Sequence, residues 1–295
     1  MNAERSLPRR KRNKETVTTP GYSRVTLYGI HPVWETLRAG KRRIYEVWGT
    51  EAVLRTPGLG ELIEGRGVKV IETTNDHIEK LTRVKQHQGI AAVVGPFPYV
   101  NFEEVLPLWS RGLLPVLLLD EVQDPGNLGS ILRGAECLGA AGVVLGRDRS
   151  APITAAVEKR AAGASAHVAI ARVVNMRRAL MDLKEAGYWV FGTEVTAPTT
   201  LYSLDLTGQV AFVLGSEATG MRRLVRDSCD RLVSIPMVGN VASLNVAQTA
   251  VAVLAEALRQ RWAREHTAHE VTRRGDIPGE AKLRTSKRLR TEGNR

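Results

Sequence analysis

Residues 115–145 read as a single strand–helix–strand unit, and that pattern leaves few folds open to the chain. The run 115–119 is apolar at every position, as expected of a strand covered on both faces. It breaks at the acidic segment Asp120-Glu-Val-Gln-Asp-Pro-Gly126. A helix is predicted from about Asn127 to Cys137, because Leu128, Ile131, Leu132 and Ala135 recur at helical spacing, and Gly139 is placed to end it. A second strand follows at 142–145. The alternation then continues: helix 153–161, strand 168–171, helix 175–186, strands 189–193 and 209–214, helix 221–228, strand 231–235, helix 245–264. Such alternation predicts a mostly parallel sheet with helices on both faces. Ligands of such sheets sit beyond the carboxyl ends of the strands. The polar turn holding Asp120, Asp124 and Asn127, with Arg133 in the helix that follows, is therefore the first candidate site.

A shorter α/β region precedes it. Order is expected to begin near Val25. Tyr28-Gly-Ile-His-Pro-Val-Trp34 reads as a turn into a helix, with Pro32 in its first turn and Gly40 at its end. Strand-like runs at 44–48, 68–71 and 90–94 enclose helical stretches at about 60–64 and 75–81. This predicts a small domain over 25–98, left through Gly95-Pro-Phe-Pro98, and a linker over 99–112 with a short helix in it. Hydrophobic residues make up 43% of the chain, enough for two cores.

The formal net charge of +11 is concentrated at the ends. Residues 1–24 carry seven Lys/Arg against two Glu, and residues 263–295 carry nine against five Asp/Glu. Segment 1–24 is expected to be a disordered basic tail and 265–295 a second basic tail, which either contact nucleic acid or only solubilise. Lys41, Arg42, Arg43, Arg83 and Lys85 are basic spots in the small domain. The alternatives for them are a solvated surface or RNA contact, and the tails beside them favour RNA. No apolar run approaches the roughly 20 residues of a membrane helix, and the charged N-terminal segment lacks a signal-peptide core. A cytoplasmic protein is expected, with Cys137 and Cys229 as reduced core thiols.

Three segments of the larger domain share one design, a buried strand running into a polar, Gly-containing loop that opens a helix. They are 120–133, Val213-Leu-Gly-Ser-Glu-Ala-Thr-Gly-Met221, and Ile235-Pro-Met-Val-Gly-Asn-Val-Ala-Ser-Leu-Asn-Val246. Gly215 to Gly220 is followed by no Gly-Lys-Ser/Thr, so it is not a phosphate-binding P-loop. Asp124-Pro-Gly-Asn-Leu-Gly129 places Pro125 and Asn127 where the dinucleotide fingerprint needs glycine, which argues against a nicotinamide dehydrogenase. None of the six histidines falls in the three loops, so no Ser/His/Asp or Cys/His arrangement is present there. His266 and His269 lack carboxylate or cysteine partners at ligand spacing, and no metal is expected.

In order, Asp124-Pro-x-Asn127-Leu-Gly-x-x-x-Arg133, Leu-Gly-x-Glu217-x-x-Gly220 and Ile235-Pro-Met-x-Gly-x-x-x-Ser243-Leu-Asn245 resemble the three motifs of the SpoU/TrmH branch of the SPOUT methyltransferases. Tyr28-Gly-Ile-His-Pro-Val and Gln86-His-Gln-Gly-Ile resemble the ribosomal-protein-like RNA-binding domain of bacterial large-subunit rRNA guanosine 2′-O-methyltransferases. The resemblance implies an α/β fold, its mostly parallel sheet ending in a C-terminal trefoil knot over 113–264, with a small N-terminal α/β RNA-binding domain. It implies transfer of a methyl group from S-adenosylmethionine to a ribose 2′-hydroxyl, most specifically on a guanosine of 23S rRNA, by a homodimer whose interface completes the site.

By position in the motifs, the resemblance assigns the cofactor to Leu214, Gly215, Gly220, Ile235, Met237 and Leu244, largely through main-chain groups. Asn127, Arg133, Glu217, Ser243 and Asn245 would form the catalytic set. A guanidinium with a pKa above about 12 is a poor base alone, so Arg133 stands open between base and electrostatic stabiliser of the developing alkoxide. Read without the resemblance, Asn127, Ser243 and Asn245 could be helix N-caps, and Arg133 an ion pair with Glu136 or Glu217. A tRNA ribose methyltransferase and a catalytically silent RNA-binding relative are the alternatives; the intact Asn127, Arg133 and Glu217 argue against silence.

Overall fold

The structure, a computed structural model, describes residues 24–275, with side chains through His266. Of the segments expected to be basic tails, 1–23 and 276–295 lie outside the described residues, while 265–275 are not a tail but continue the last helix. The first body is built from β1 (Val25–Tyr28), α1 (Ile30–Ala39), β2 (Ile44–Gly49), α2 (Glu51–Leu54), α3 (Leu59–Gly65), β3 (Lys69–Glu72), α4 (Asn75–Thr82) and β4 (Ile90–Val94). Its sheet runs β1-β4-β2-β3, antiparallel except for β2 with β3. Leu27, Val33, Leu37, Val47, Leu59, Ile63 and Ile90 form its core.

The chain continues through α5 (Phe102–Trp109), β5 (Val116–Leu119), α6 (Pro125–Cys137), β6 (Gly142–Gly146), α7 (Ala155–Arg160), β7 (Ile170–Val173), α8 (Met176–Glu185) and β8 (Trp189–Thr193). It ends with β9 (Thr199–Thr200), β10 (Val210–Leu214), α9 (Arg223–Arg226), β11 (Arg231–Ser234) and α10 (Val246–Gly275). Among the described residues the second sheet has seven strands in the order β7-β6-β5-β10-β8-β11-β9, and every pairing is parallel. The all-apolar strands follow from this. In β5 and β10, Leu117, Leu119, Phe212 and Leu214 enter the core under α6, α7 and α10, while Val116, Leu118, Ala211 and Val213 enter the one under α5, α8 and α9. Each fully buried Leu, Val or Phe contributes about 1.5–3 kcal/mol. From β5 the chain proceeds to β6 and β7 on one side, while β10, β8 and β11 lie on the other. Strand order reverses between β5 and β10, so the loops after them flank a crevice.

Several elements depart from expectation. Helix α6 begins at Pro125, because Asp124 is its cap: the Asp124 carboxylate accepts from the Asn127 amide at 2.7 Å. Asn127 is therefore inside the first turn and is not the cap. Helix α9 is shorter than predicted, since the Arg222 amide is engaged by Asp120 instead of a helical turn. The sequence signals did not mark β9 and α2, which are two and four residues long. Cys137 is exposed and is no core thiol; it sits about half a turn from Leu128 around α6, off the buried stripe. Cys229 is half-buried, and burial pushes its thiol up to about 12.

Candidate active site

The loops after β8, β10 and β11 enclose a cavity of about 380 Å³ at the carboxyl end of the large sheet. One wall is backbone. The segment 216–220 closes on itself, with the Ser216 amide bonded to the Gly220 carbonyl at 3.1 Å and the Gly220 amide to the Ser216 carbonyl at 2.9 Å. Gly215 lies directly against this turn, and a Cβ there would collide with the backbone of Gly220 and Met221. Only glycine allows that approach. The opposite wall is apolar, made by Ile235, Met237, Leu244 and Val246. At the mouth Arg226 grips Glu194 with Nε at 2.7 Å and Nη2 at 3.1 Å, which lowers the Glu194 carboxyl below its usual range.

Beside the cavity the three motif loops meet in one polar cluster. Glu217 Oε1 accepts from Asn127 Nδ2 at 2.8 Å and from Asn245 Nδ2 at 2.5 Å, and Asn245 Nδ2 also reaches Asn127 Oδ1 at 3.0 Å. The Asn245 side chain does double duty, since its Oδ1 caps α10 by accepting from the Ala247 amide at 2.8 Å. Because both amides donate to one carboxylate, their orientations are fixed. Glu217 Oε2 has no partner among the described residues and remains an acceptor facing solvent. A second tie holds the same loops from beneath. Fully buried Asp120 takes the Arg222 amide at 2.8 Å and the guanidinium at 2.8 and 2.6 Å. That brace fixes the exit of the loop after β10 against the end of β5.

The description "SpoU rRNA Methylase family" belongs to a family model that matches residues 115–255. A second, described as "RNA 2′-O ribose methyltransferase substrate binding", matches residues 26–100. The chain is 40% identical over 241 residues to the 23S rRNA (guanosine-2′-O-)-methyltransferase RlmB of Vibrio vulnificus, covering 80% of this chain and 97% of that protein. It is 42% identical over 239 residues to the RlmB of Photorhabdus laumondii, covering 80% and 98%. The chain belongs to the SpoU rRNA methylase family. Its fold is similar to that of the SpoU methyltransferase AviRb from Streptomyces viridochromogenes, with a TM-score of 0.69 and 26% identity over 81% of this chain and 90% of that one.

Set in this SpoU fold, the residues singled out by sequence divide into three groups. Gly215, Gly220, Ile235, Met237, Leu244, Glu217 and Ser243 all line the cavity. Asn127 and Asn245 stand beside it, tied to Glu217. Leu214 does not reach it: its side chain is fully buried and its carbonyl accepts from the Asp120 amide at 2.8 Å. Arg133 is separate as well. It lies six residues beyond Asn127, about 9 Å along α6 and about 120° around it, and so faces a different side of the helix. It is exposed and makes no hydrogen bond or ion pair among the described residues, so the pairings with Glu136 and Glu217 are not formed. The sequence reading also passed over Thr193, Glu194, Val195, Thr196 and Arg226, which complete the cavity rim. The signal was available in Phe191-Gly-Thr-Glu194, a fourth strand ending in a polar, Gly-containing loop.

Of the basic spots, Arg42 is not an RNA contact. Its side chain is 6% exposed, inside an ion pair with Glu158, so no phosphate can reach it. Lys41 is exposed but donates to the His167 carbonyl at 3.1 Å. Arg43 is exposed and lies 4.9 Å from the Tyr45 ring, which Arg24 also covers at 4.6 Å. Arg83 and Lys85 are exposed and unpaired among the described residues, Arg83 in a left-handed conformation with φ 58°. Among the described residues no cluster of three His, Cys, Asp or Glu could hold a metal ion, and no helix is long and apolar enough to cross a membrane.

Proposed function

We propose that this chain transfers a methyl group from S-adenosylmethionine to the ribose 2′-hydroxyl of a guanosine in 23S rRNA, acting as a cytoplasmic homodimer. The observation that carries the reading is the meeting of Asn127, Glu217 and Asn245 beside a cavity with one backbone wall and one apolar wall. The cavity fits the cofactor. Its volume is in the range of sites for such molecules, its apolar wall suits an adenine ring, and the turn after Gly215 brings backbone close enough to satisfy the polar edge. S-adenosylmethionine supplies a methyl group already activated by its sulfonium, and the protein is left to orient the hydroxyl and manage its proton.

In this reading residues 25–98 hold the RNA, 99–112 join the two units and 113–264 perform the transfer. Glu217 Oε2 and the Asn127 carbonyl oxygen are acceptors that orient the ribose hydroxyl. Ser243, on the cavity rim, donates to the substrate. Arg133 stabilises the alkoxide as the proton leaves, and it does so across the dimer. Its isolation from Glu217 in its own chain supports this. So does the exposed apolar stripe of Val251, Leu258 and Trp262 on α10, at spacings of seven and four residues. Gly134 packs under Val251, which brings Arg133 alongside the start of that stripe. The trefoil knot that the family resemblance implies belongs to the same reading.

The test is methylation of transcripts of 23S rRNA and of tRNA by the purified protein with labelled S-adenosylmethionine, followed by mapping of 2′-O-methyl groups. One modified guanosine in 23S rRNA is the expected outcome, and label confined to tRNA would refute the substrate assignment. For the RNA surface, Arg83→Ala with Lys85→Ala should weaken binding and flatten the slope of log Kobs against log salt by about 1.4–1.8, two phosphate contacts' worth. An unchanged slope in a salt titration would remove these residues from the RNA interface.

A further inference from the structure

Arg42 is among the few charged side chains that this fold buries, and everything it touches lies at the joint between the two sheets. Its Nε donates to the carbonyl of Gly95, where the chain leaves β4, at 2.7 Å. Its Nη1 donates to Glu158 Oε1 on α7, also at 2.7 Å. Its guanidinium lies 5.9 Å from the ring of Phe97 in the connecting segment. The pair is 6% and 5% exposed. One planar group thus ties together the end of the small sheet, the connecting segment and a helix of the large domain.

The rest of the joint is tight. His167 Nε2 and Glu35 Oε2 are 2.7 Å apart, Lys159 donates to Gln88, and Tyr99 accepts from the Ile153 amide at 2.8 Å. Gly163, with φ 85°, lies so close to His31 and Glu35 that a Cβ would clash with both.

Stability does not account for the buried pair. Burial raises the Glu158 carboxyl to about 7 even with Arg42 beside it, and lowers Arg42 itself. Glu158 Oε2, buried next to a cavity of about 130 Å³, has no hydrogen-bond partner among the described residues. Removing both charges from water costs about as much as their attraction returns, so net stability is not the reason for the pair, and the geometry it imposes becomes the candidate role. The geometry leads toward the active site. On the other side of α7, Arg160 Nε donates to Ser130 Oγ at 3.3 Å, and Gly129 packs against Arg160 and Val157. Ser130 stands on α6 midway between Asn127 and Arg133.

We propose that Arg42 and Glu158 are positioning residues, which fix the small unit against α7 and, through the seat of α7 on α6, set where bound RNA meets Asn127. This rests on the reading of the chain as an RNA methyltransferase. Neither residue touches substrate. Their effect belongs in the KM for RNA, which depends on both units engaging one molecule at a fixed separation and angle.

Steady-state methylation of a 23S rRNA fragment by the full chain separates the possibilities. Glu158→Arg sets two guanidiniums face to face and should raise the RNA KM by about tenfold or more, with the Kd for S-adenosylmethionine unchanged and a larger radius of gyration in solution scattering. Reversing the pair, Arg42→Glu with Glu158→Arg, should restore most of the loss. A Glu158→Arg protein that binds cofactor normally and keeps its RNA KM within about twofold overturns the proposal, as does a reversed pair no better than the single variant. If Glu158→Arg does not fold, Arg42→Met with Glu158→Leu keeps the joint filled without the charges. A raised RNA KM in that folded protein supports positioning by the guanidinium, and an unchanged one overturns it. Wild-type protein that methylates no RNA would instead sink the functional reading itself.

Discussion

Arg133→Ala is expected to lower kcat for methyl transfer by about 10²–10³-fold, the scale on which a single charge-stabilising donor acts. Thermal stability and the Kd for S-adenosylmethionine should hardly change, because the side chain is exposed and makes no hydrogen bond or ion pair among the described residues. If the variant methylates RNA at the normal rate, the site assignment is wrong. The position of Arg133 also allows a sharper experiment. It stands six positions beyond Asn127 on α6, on a different side of the helix, so in this reading it serves the site of the partner subunit. Co-expressed Arg133→Ala and Glu217→Ala chains would then form mixed dimers with one site carrying both native residues. With random pairing about a quarter of wild-type activity should return. Were both residues to act within one chain, the mixture would stay as inactive as its parents.

Gly215→Ala is expected to raise the Kd for S-adenosylmethionine more than about tenfold and to destabilise the fold by about 1–3 kcal/mol, the usual cost of forcing an extra methyl into packed structure. The new Cβ meets backbone, of Gly220 and Met221, which cannot rotate away as a side chain could. The neighbouring Gly220→Ala is the control. Its φ of 67° makes alanine strained by about 1–2 kcal/mol, but no atom lies near enough to collide. Calorimetric titration with cofactor and thermal melts of both variants check the contrast. Equal cofactor affinities would show that the turn after Gly215 is not a cofactor wall.

The order of elements and the faces they bury were legible in the sequence because both are local. Every apolar position of 116–119 and 210–214 reports a strand covered twice, and Leu128, Ile131, Leu132 and Ala135 report one face of α6. The three loops could be picked out for the same reason, since each places glycine and polar residues next to an apolar run. Their chemistry was legible only through resemblance, as Asn127, Ser243 and Asn245 would otherwise read as helix caps. Asn245 turns out to be a cap as well.

What the chain alone could not disclose depends on contacts distant in sequence. Arg42 sits in a Lys-Arg-Arg run that looks solvated, yet Glu158, 116 residues later, takes it out of water. Asn127 and Glu217, 90 positions apart, share a hydrogen bond because β5 and β10 are neighbours in the sheet. Arg133 has the composition of a motif partner but the helical phase of a residue facing elsewhere. Periodicity and turn chemistry are properties of adjacent residues and determine each element with the face it buries. Whether a charge meets solvent, a carboxylate or another subunit is decided by which elements pack together, and that choice belongs to the whole fold.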